Sequence, residues 1–299
     1  MSKKKTAGIF KRLLSMILVS AVLLGSSVTT DASSGVPKYT CAKTRKNVLK
    51  LLDAYDPEGA YIVRADKSGK LMTWFEDYNS RGDKLYLCDC MDTAVHESFH
   101  AISVGYTGDK MYIGKKKYVY VSRTSVFPST KASKKIPKRL RTFRFDTYMT
   151  NKEASNMHSV INGPYGMLNE MAAYCWGMNN SICMYPYLKK NNKLGPFYSS
   201  CSNDKNAYAE FTFFILFYLD YAKSYDKAVY RGIMNNSQFK KVYKNTDKRF
   251  RSNIKKYDKI AKSDKYYMYY PKANDSDYKL LMKELKKSKY QKIYNQLMK

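Results

Sequence analysis

Five consecutive residues, His96-Glu97-Ser98-Phe99-His100, constrain this 299-residue chain more than any other stretch, because they use two of its three histidines. On an α-helix, side chains four residues apart share a face. Two imidazoles so placed can bind one cation, and the intervening carboxylate can face the same point. Zinc suits that donor pair. The flanking residues agree with a helix. Ala94-Val95, Phe99 and Ile102 recur with helical period, Asp92 is placed as an N-cap, and Gly105 supplies a stop. The pattern predicts a helix from about Asp92 to Val104.

The first 32 residues read as an address. Lys3, Lys4, Lys5, Lys11 and Arg12 precede an apolar run from Leu13 to Gly25. Thr30 and Ala32 then sit at the −3 and −1 positions of an A-x-A-like cleavage site. The apolar run is short for a bilayer span. The expectation is a secreted protein beginning near Ser33, with no membrane span after cleavage. All six cysteines (Cys41, Cys88, Cys90, Cys175, Cys183 and Cys201) follow that point. In an exported chain an even number suggests disulfides, and a bridge between Cys88 or Cys90 and Cys175 would brace the histidine helix.

Charge narrows the partners. The net charge is +29, and residues 227–299 alone hold 21 basic and 6 acidic side chains. Such a field favours polyanions, so an anionic cell-envelope polymer is an expected partner. Only 11 of the 54 basic residues are arginine, the residue suited to bidentate phosphate recognition. With no nucleic-acid motif beside the charge, specific nucleic-acid binding is not expected.

Val48 to Tyr55 reads as a short helix ended by Asp56-Pro57 and Gly59. Tyr61 to Arg64 and Leu71 to Phe75 read as a hairpin around Asp66-Lys67-Ser68-Gly69. Leu85 to Cys88 reads as a further strand, and Met111 to Ile113 with Tyr118 to Val121 as a second hairpin. Residues 123–157 are basic and polar and read as a surface excursion. Helices are predicted over Tyr165 to Met178 and Ala207 to Lys223, then through the basic C-terminal region, the last with Leu281, Leu285, Ile293 and Leu297 on one side. The fold class expected is α+β: a β-rich N-terminal part with the histidine helix, then a mainly helical C-terminal part. The expected main domain is 33–226, with 227–299 as a basic region of the same domain.

A catalytic zinc takes three protein ligands and keeps a fourth position open. Tyr106 stands where a third histidine would follow in the metzincin pattern. Glu170, in Asn169-Glu170-Met171-Ala172-Ala173-Tyr174, is the leading third ligand, with Glu153, Glu210, Asp220 and His158 as rivals.

With His96 to Gly105 and Leu168 to Tyr174, the chain resembles the gluzincin (thermolysin-like) zinc metallopeptidases. These pair the histidine motif with a glutamate, often preceded by asparagine, on a second helix. The resemblance implies a zincin-like fold, His96, His100 and Glu170 as zinc ligands, Glu97 as activator of a zinc-bound water, and a peptide or protein substrate. It also marks two departures. Tyr174 stands where the group usually has an aspartate that orients a zinc histidine. No histidine follows residue 158 to stabilise the oxyanion, which leaves His158, Tyr165 and Tyr174 for that role. The alternatives are a zinc-binding pseudoenzyme and a non-enzymatic basic protein held on polyanion.

Overall fold

The computed structural model describes residues 38–68, 88, 90–150, 152, 156–264 and 275–299. Its helices begin with α1 (Lys38–Tyr55), α2 (Pro57–Ala65) and α3 (Met91–Ser103). A hairpin, β1 (Gly108–Gly114) and β2 (Lys117–Ser122), follows, and then the short helices α4 (Ser129–Ser133), α5 (Phe145–Met149) and α6 (His158–Ile161). Two long helices come next, α7 (Pro164–Lys190) and α8 (Gly195–Tyr225). The chain closes with α9 (Lys227–Met234), α10 (Ser237–Ser263), α11 (Asp275–Glu284) and α12 (Ser288–Leu297).

The expected β-rich N-terminal part is overturned: among the described residues the only sheet is the two-stranded antiparallel β1–β2. Tyr61 to Arg64 lie in α2, and the reason is legible in retrospect. Asp56, Pro57 and Gly59 do not merely end α1. The Asp56 carboxylate accepts from Gly59 N at 3.1 Å, Pro57 occupies the first turn and Glu58 joins it. Together these start a new helix. The strand expected over Leu71 to Phe75, most of that over Leu85 to Cys88, and the signal segment 1–32 lie outside the described residues.

The hairpin expected near Met111 and Tyr118 is present, with Asp109 opposite Val121 and Met111 opposite Val119. Lys115 and Lys116 both have positive φ (54° and 57°), the conformation of a tight hairpin turn. Glu58 offsets that unfavourable geometry by accepting from Lys115 N at 3.1 Å and from the Tyr112 hydroxyl.

α7 and α8 form the centre. Each buries residues all round its circumference, including Met167, Leu168, Met171 and Met178 on α7 and Phe211, Phe213, Phe214 and Ile215 on α8. Such a helix belongs inside a fold. No helix among the described residues is long and apolar enough to cross a membrane. α3 and α10 pack on α7, and α9 to α12 pack on α8. The basic C-terminal helices therefore cover the core with Phe239, Val242, Tyr243, Phe250, Leu281, Leu285, Ile293 and Leu297. The predicted single last helix is two, broken after Glu284.

Residues 123–157 are not a surface excursion. Phe127, Ile136, Leu140, Phe145, Tyr148 and Met149 are buried there, as is Arg144. The basic residues of that stretch hid apolar side chains spaced too irregularly for one helical or strand period. Cys175 is a free thiol donating to the Thr246 carbonyl at 3.8 Å, so it bridges neither Cys88 nor Cys90. Cys183 and Cys201 are also free thiols.

Candidate metal centre

α3 and α7 lie side by side, and the site forms where they meet. α3 starts at Met91, one residue before the predicted cap, which places Asp92 in the first turn, where burial raises its carboxyl pKa. α7 starts cleanly because Gly163 takes φ +52° and Pro164 follows at the first helical position. Gly177 lets the two helices approach: a Cβ there would meet the Asp92 carbonyl oxygen at 3.3 Å.

His96 Nε2 and His100 Nε2 point at each other across 3.0 Å. Glu170 Oε2 stands 3.3 Å from His100 Nε2 and 3.8 Å from His96 Nε2. The Glu97 carboxylate is 3.9 Å from His96 Nε2, on the same side. All three proposed ligands are buried, and their donor atoms lie within 4.8 Å of one another. Two nitrogens on one zinc at a tetrahedral angle, each about 2.0–2.1 Å from it, would be roughly 3.3 Å apart. The donor set therefore fits zinc in both chemistry and spacing.

Protonation follows from the neighbours. Burial, the charge of His100 and that of Arg144 all lower the His96 pKa well below the usual imidazole value. Burial also opposes a charge on His100, but Glu170, Glu97 and Asn169 outweigh it and raise its pKa to about 9. Without a metal, one proton thus sits between the ligands, on the atom His100 would turn to a cation.

Behind His100 runs a chain of polar contacts. His100 Nδ1 meets Asn169 Oδ1 at 2.6 Å. Asn169 Nδ2 donates to Ser103 Oγ at 3.0 Å and to Asp109 Oδ2 at 3.4 Å. Asp109 also accepts from Arg123 at 2.7 Å and from His158 Nε2 at 3.0 Å. Asn169 thus makes to the His100 ring the kind of contact that an aspartate in place of Tyr174 was expected to make to a histidine of the site.

Beside His96 the neighbours are aromatic and cationic. The Tyr174 ring stands edge-on to the His96 ring, centroids 4.5 Å apart. The Tyr174 hydroxyl lies 3.2 Å from that of Tyr148, and the Arg144 guanidinium covers the Tyr174 ring at 4.7 Å. Arg144 pairs with Glu210 at 2.6 Å and donates to Asn203 Oδ1 at 2.6 Å. Burial, with Glu170 nearby, raises the pKa of both Tyr148 and Tyr174, so both hydroxyls stay protonated.

The structure thus brings together His96, Glu97, His100, Glu170 and Tyr174. It places His158 behind the site, its Nε2 on Asp109 and its Nδ1 2.9 Å from Asn162 Nδ2. The Tyr165 hydroxyl is taken up by Thr124 Oγ1 at 2.8 Å and by Asn236 at 3.2 Å. Glu210 is held by Arg144 and Thr142, and Asp220 by Lys289. Glu153 lies outside the described residues. Sequence reasoning missed Asp109, Arg144 and Tyr148. Arg144 and Tyr148 sat in the stretch read as surface, and Asp109 in a hairpin whose facing was undetermined.

No known protein family, curated protein or solved structure matches the chain.

Proposed function

We propose that the protein is an exported zinc metallopeptidase of gluzincin type, with His96, His100 and Glu170 as ligands and Glu97 as general base. The observation that carries this reading is the convergence of two imidazole nitrogens and one carboxylate oxygen from α3 and α7, with a second carboxylate beside them. Zinc held there would acidify a coordinated water toward a pKa of about 7 and polarise the scissile carbonyl. Glu97 takes the proton of the attacking water and hands it to the leaving amine. Tyr174 and Tyr148, kept protonated beside Arg144, supply hydrogen-bond donors for the developing oxyanion. The exported setting rests on the N-terminal basic, apolar and small-residue order.

Purified protein is expected to hold about one zinc per chain. Glu97→Gln is expected to keep that zinc while hydrolysis of a quenched-fluorescence peptide library falls by about 10²–10⁴-fold. Retained hydrolysis in that variant would remove Glu97 from the mechanism; absence of zinc from the wild type would remove the reading altogether.

One further observation favours a partner of a second kind. Lys241, Lys248, Lys255 and Lys262 recur every seventh residue on the exposed face of α10. That ridge suits an anionic envelope polymer, either holding the enzyme at its workplace or, for a protein without catalysis, as its whole task. Binding lost at high salt and indifferent to chelator would identify the ridge as its cause.

A further inference from the structure

The contacts behind His100 leave little choice of donor and acceptor. A carboxylate only accepts, so whichever part of the Asn169 amide faces Asp109 must be its NH₂. Asp109 Oδ2 is 3.4 Å from that nitrogen. Ser103 agrees: its hydroxyl donates to the His100 carbonyl at 3.4 Å and so is free to accept from Asn169 Nδ2 at 3.0 Å. With its nitrogen so engaged, Asn169 turns its Oδ1 to His100 Nδ1 at 2.6 Å. An oxygen there requires a hydrogen on Nδ1. A neutral imidazole carrying its hydrogen on Nδ1 has its lone pair on Nε2, the atom that faces His96 and Glu170.

Asp109 is itself held from three directions. It is 2% exposed and sits in β1 opposite Val121. Arg123 from the end of the hairpin donates to its Oδ1 at 2.7 Å, and His158 from α6 takes its Oδ2 at 3.0 Å. The hairpin, α6 and α7 therefore meet on one carboxylate one residue removed from a proposed zinc ligand. A flipped Asn169 amide would set its oxygen against that carboxylate and its NH₂ against Nδ1, moving the imidazole hydrogen to Nε2 and blocking it.

We propose that Asp109 is a positioning residue for the metal site, acting through Asn169 to hold the hydrogen of His100 on Nδ1 and leave Nε2 for the cation. This rests on His100 being a zinc ligand. An asparagine in its place has the same shape but presents NH₂ to Asn169 or to Arg123, so the forced orientation is lost.

The test is zinc affinity by chelator competition in wild type, Asp109→Asn, Asn169→Ala and the double variant. Asp109→Asn is expected to weaken zinc binding about 10–100-fold, the usual effect of losing an orienting partner behind a ligand. In the Asn169→Ala background the same change is expected to cost less than about threefold, because the relay is already cut. Long-range proton–nitrogen spectra of the zinc-saturated protein supply a readout that needs no Asn169 variant: one His100 Nδ1–H signal in wild type, lost or broadened in Asp109→Asn. Undiminished effect of Asp109→Asn without Asn169, or an unchanged Nδ1–H signal, overturns the relay while leaving the zinc reading intact. A wild type that takes no zinc overturns both.

Discussion

The two imidazoles of α3 leave the same helical face one turn apart, yet opposite kinds of neighbour hold them. His100 is backed by hydrogen bonds that run from Asn169 to Asp109 and on to Arg123. His96 is backed by the Tyr174 ring, which is covered by an Arg144–Glu210 ion pair buried to 1% exposure on both sides. Hydrogen bonds choose which nitrogen carries the hydrogen. A ring edge and a buried ion pair fix position and exclude water but make no such choice. Damage to the His100 side should therefore appear as lost metal affinity, and damage to the His96 side as lost fold stability or lost chemistry.

The strongest blow to that contrast is Arg144→Met. Its removal leaves Glu210 buried, with Thr142 Oγ1 and the backbone N–H of residue 144 as its remaining hydrogen-bond donors among the described residues. An uncompensated charge of that kind costs about 3–5 kcal/mol. Denaturant unfolding of the metal-free protein should show that loss, and Arg144→Met with Glu210→Gln should recover much of it. Zinc affinity in the folded variant should move far less than in Asp109→Asn. If instead stability holds and zinc is lost, the two sides do not differ as described.

Tyr174→Phe asks whether the His96 side also carries chemistry. The ring that packs on His96 is kept, and only the hydroxyl beside Tyr148 is removed. Zinc affinity is expected to stay within about threefold. Turnover is expected to fall about 10²-fold at unchanged zinc content, the scale of one lost oxyanion donor. Unchanged turnover would transfer that role to Tyr148, for which Tyr148→Phe is the matching variant.

These supports were unequally legible in the sequence. His96, Glu97 and His100 follow from a spacing that only a helix turns into a cluster, and Glu170 from its place in a helical run beside an asparagine. Across α3 and α7 the donor atoms of His96, His100 and Glu170 lie within 4.8 Å of one another. Asn169 was visible only as a neighbour of Glu170; its contact with His100 depends on two helices docking in one register. Arg144 is the sharper failure. A basic residue in a lysine-rich stretch reads as solvated, and only the buried Glu210, 66 residues away, makes its burial tolerable. The strand expected over Tyr61 to Arg64 failed for a local reason. Asp-Pro-x-Gly both stops and starts helices, and the side chain of Asp56 decides between them by capping Gly59.

The smallest effect comes from a proton rather than a side chain, and it concerns the ligands themselves. His100 in the metal-free protein faces His96, Glu170, Glu97 and Asn169, and its pKa lies at about 9 despite its burial. His96, pushed well below the usual value, is already neutral at pH 7. In the metal-free protein the His100 ring should therefore keep its second proton up to about pH 9, whereas an ordinary imidazole loses it at about pH 6.5. Binding of a cation displaces that proton from His100 at any pH below about 9. Proton–nitrogen spectra of the metal-free protein between pH 5 and 9.5 separate the two cases. One histidine still charged at pH 8 beside a second that stays neutral down to pH 5 fits the asymmetric pair. Two rings titrating together at about pH 6.5 would mean that the imidazoles share their surroundings more evenly than their neighbours indicate.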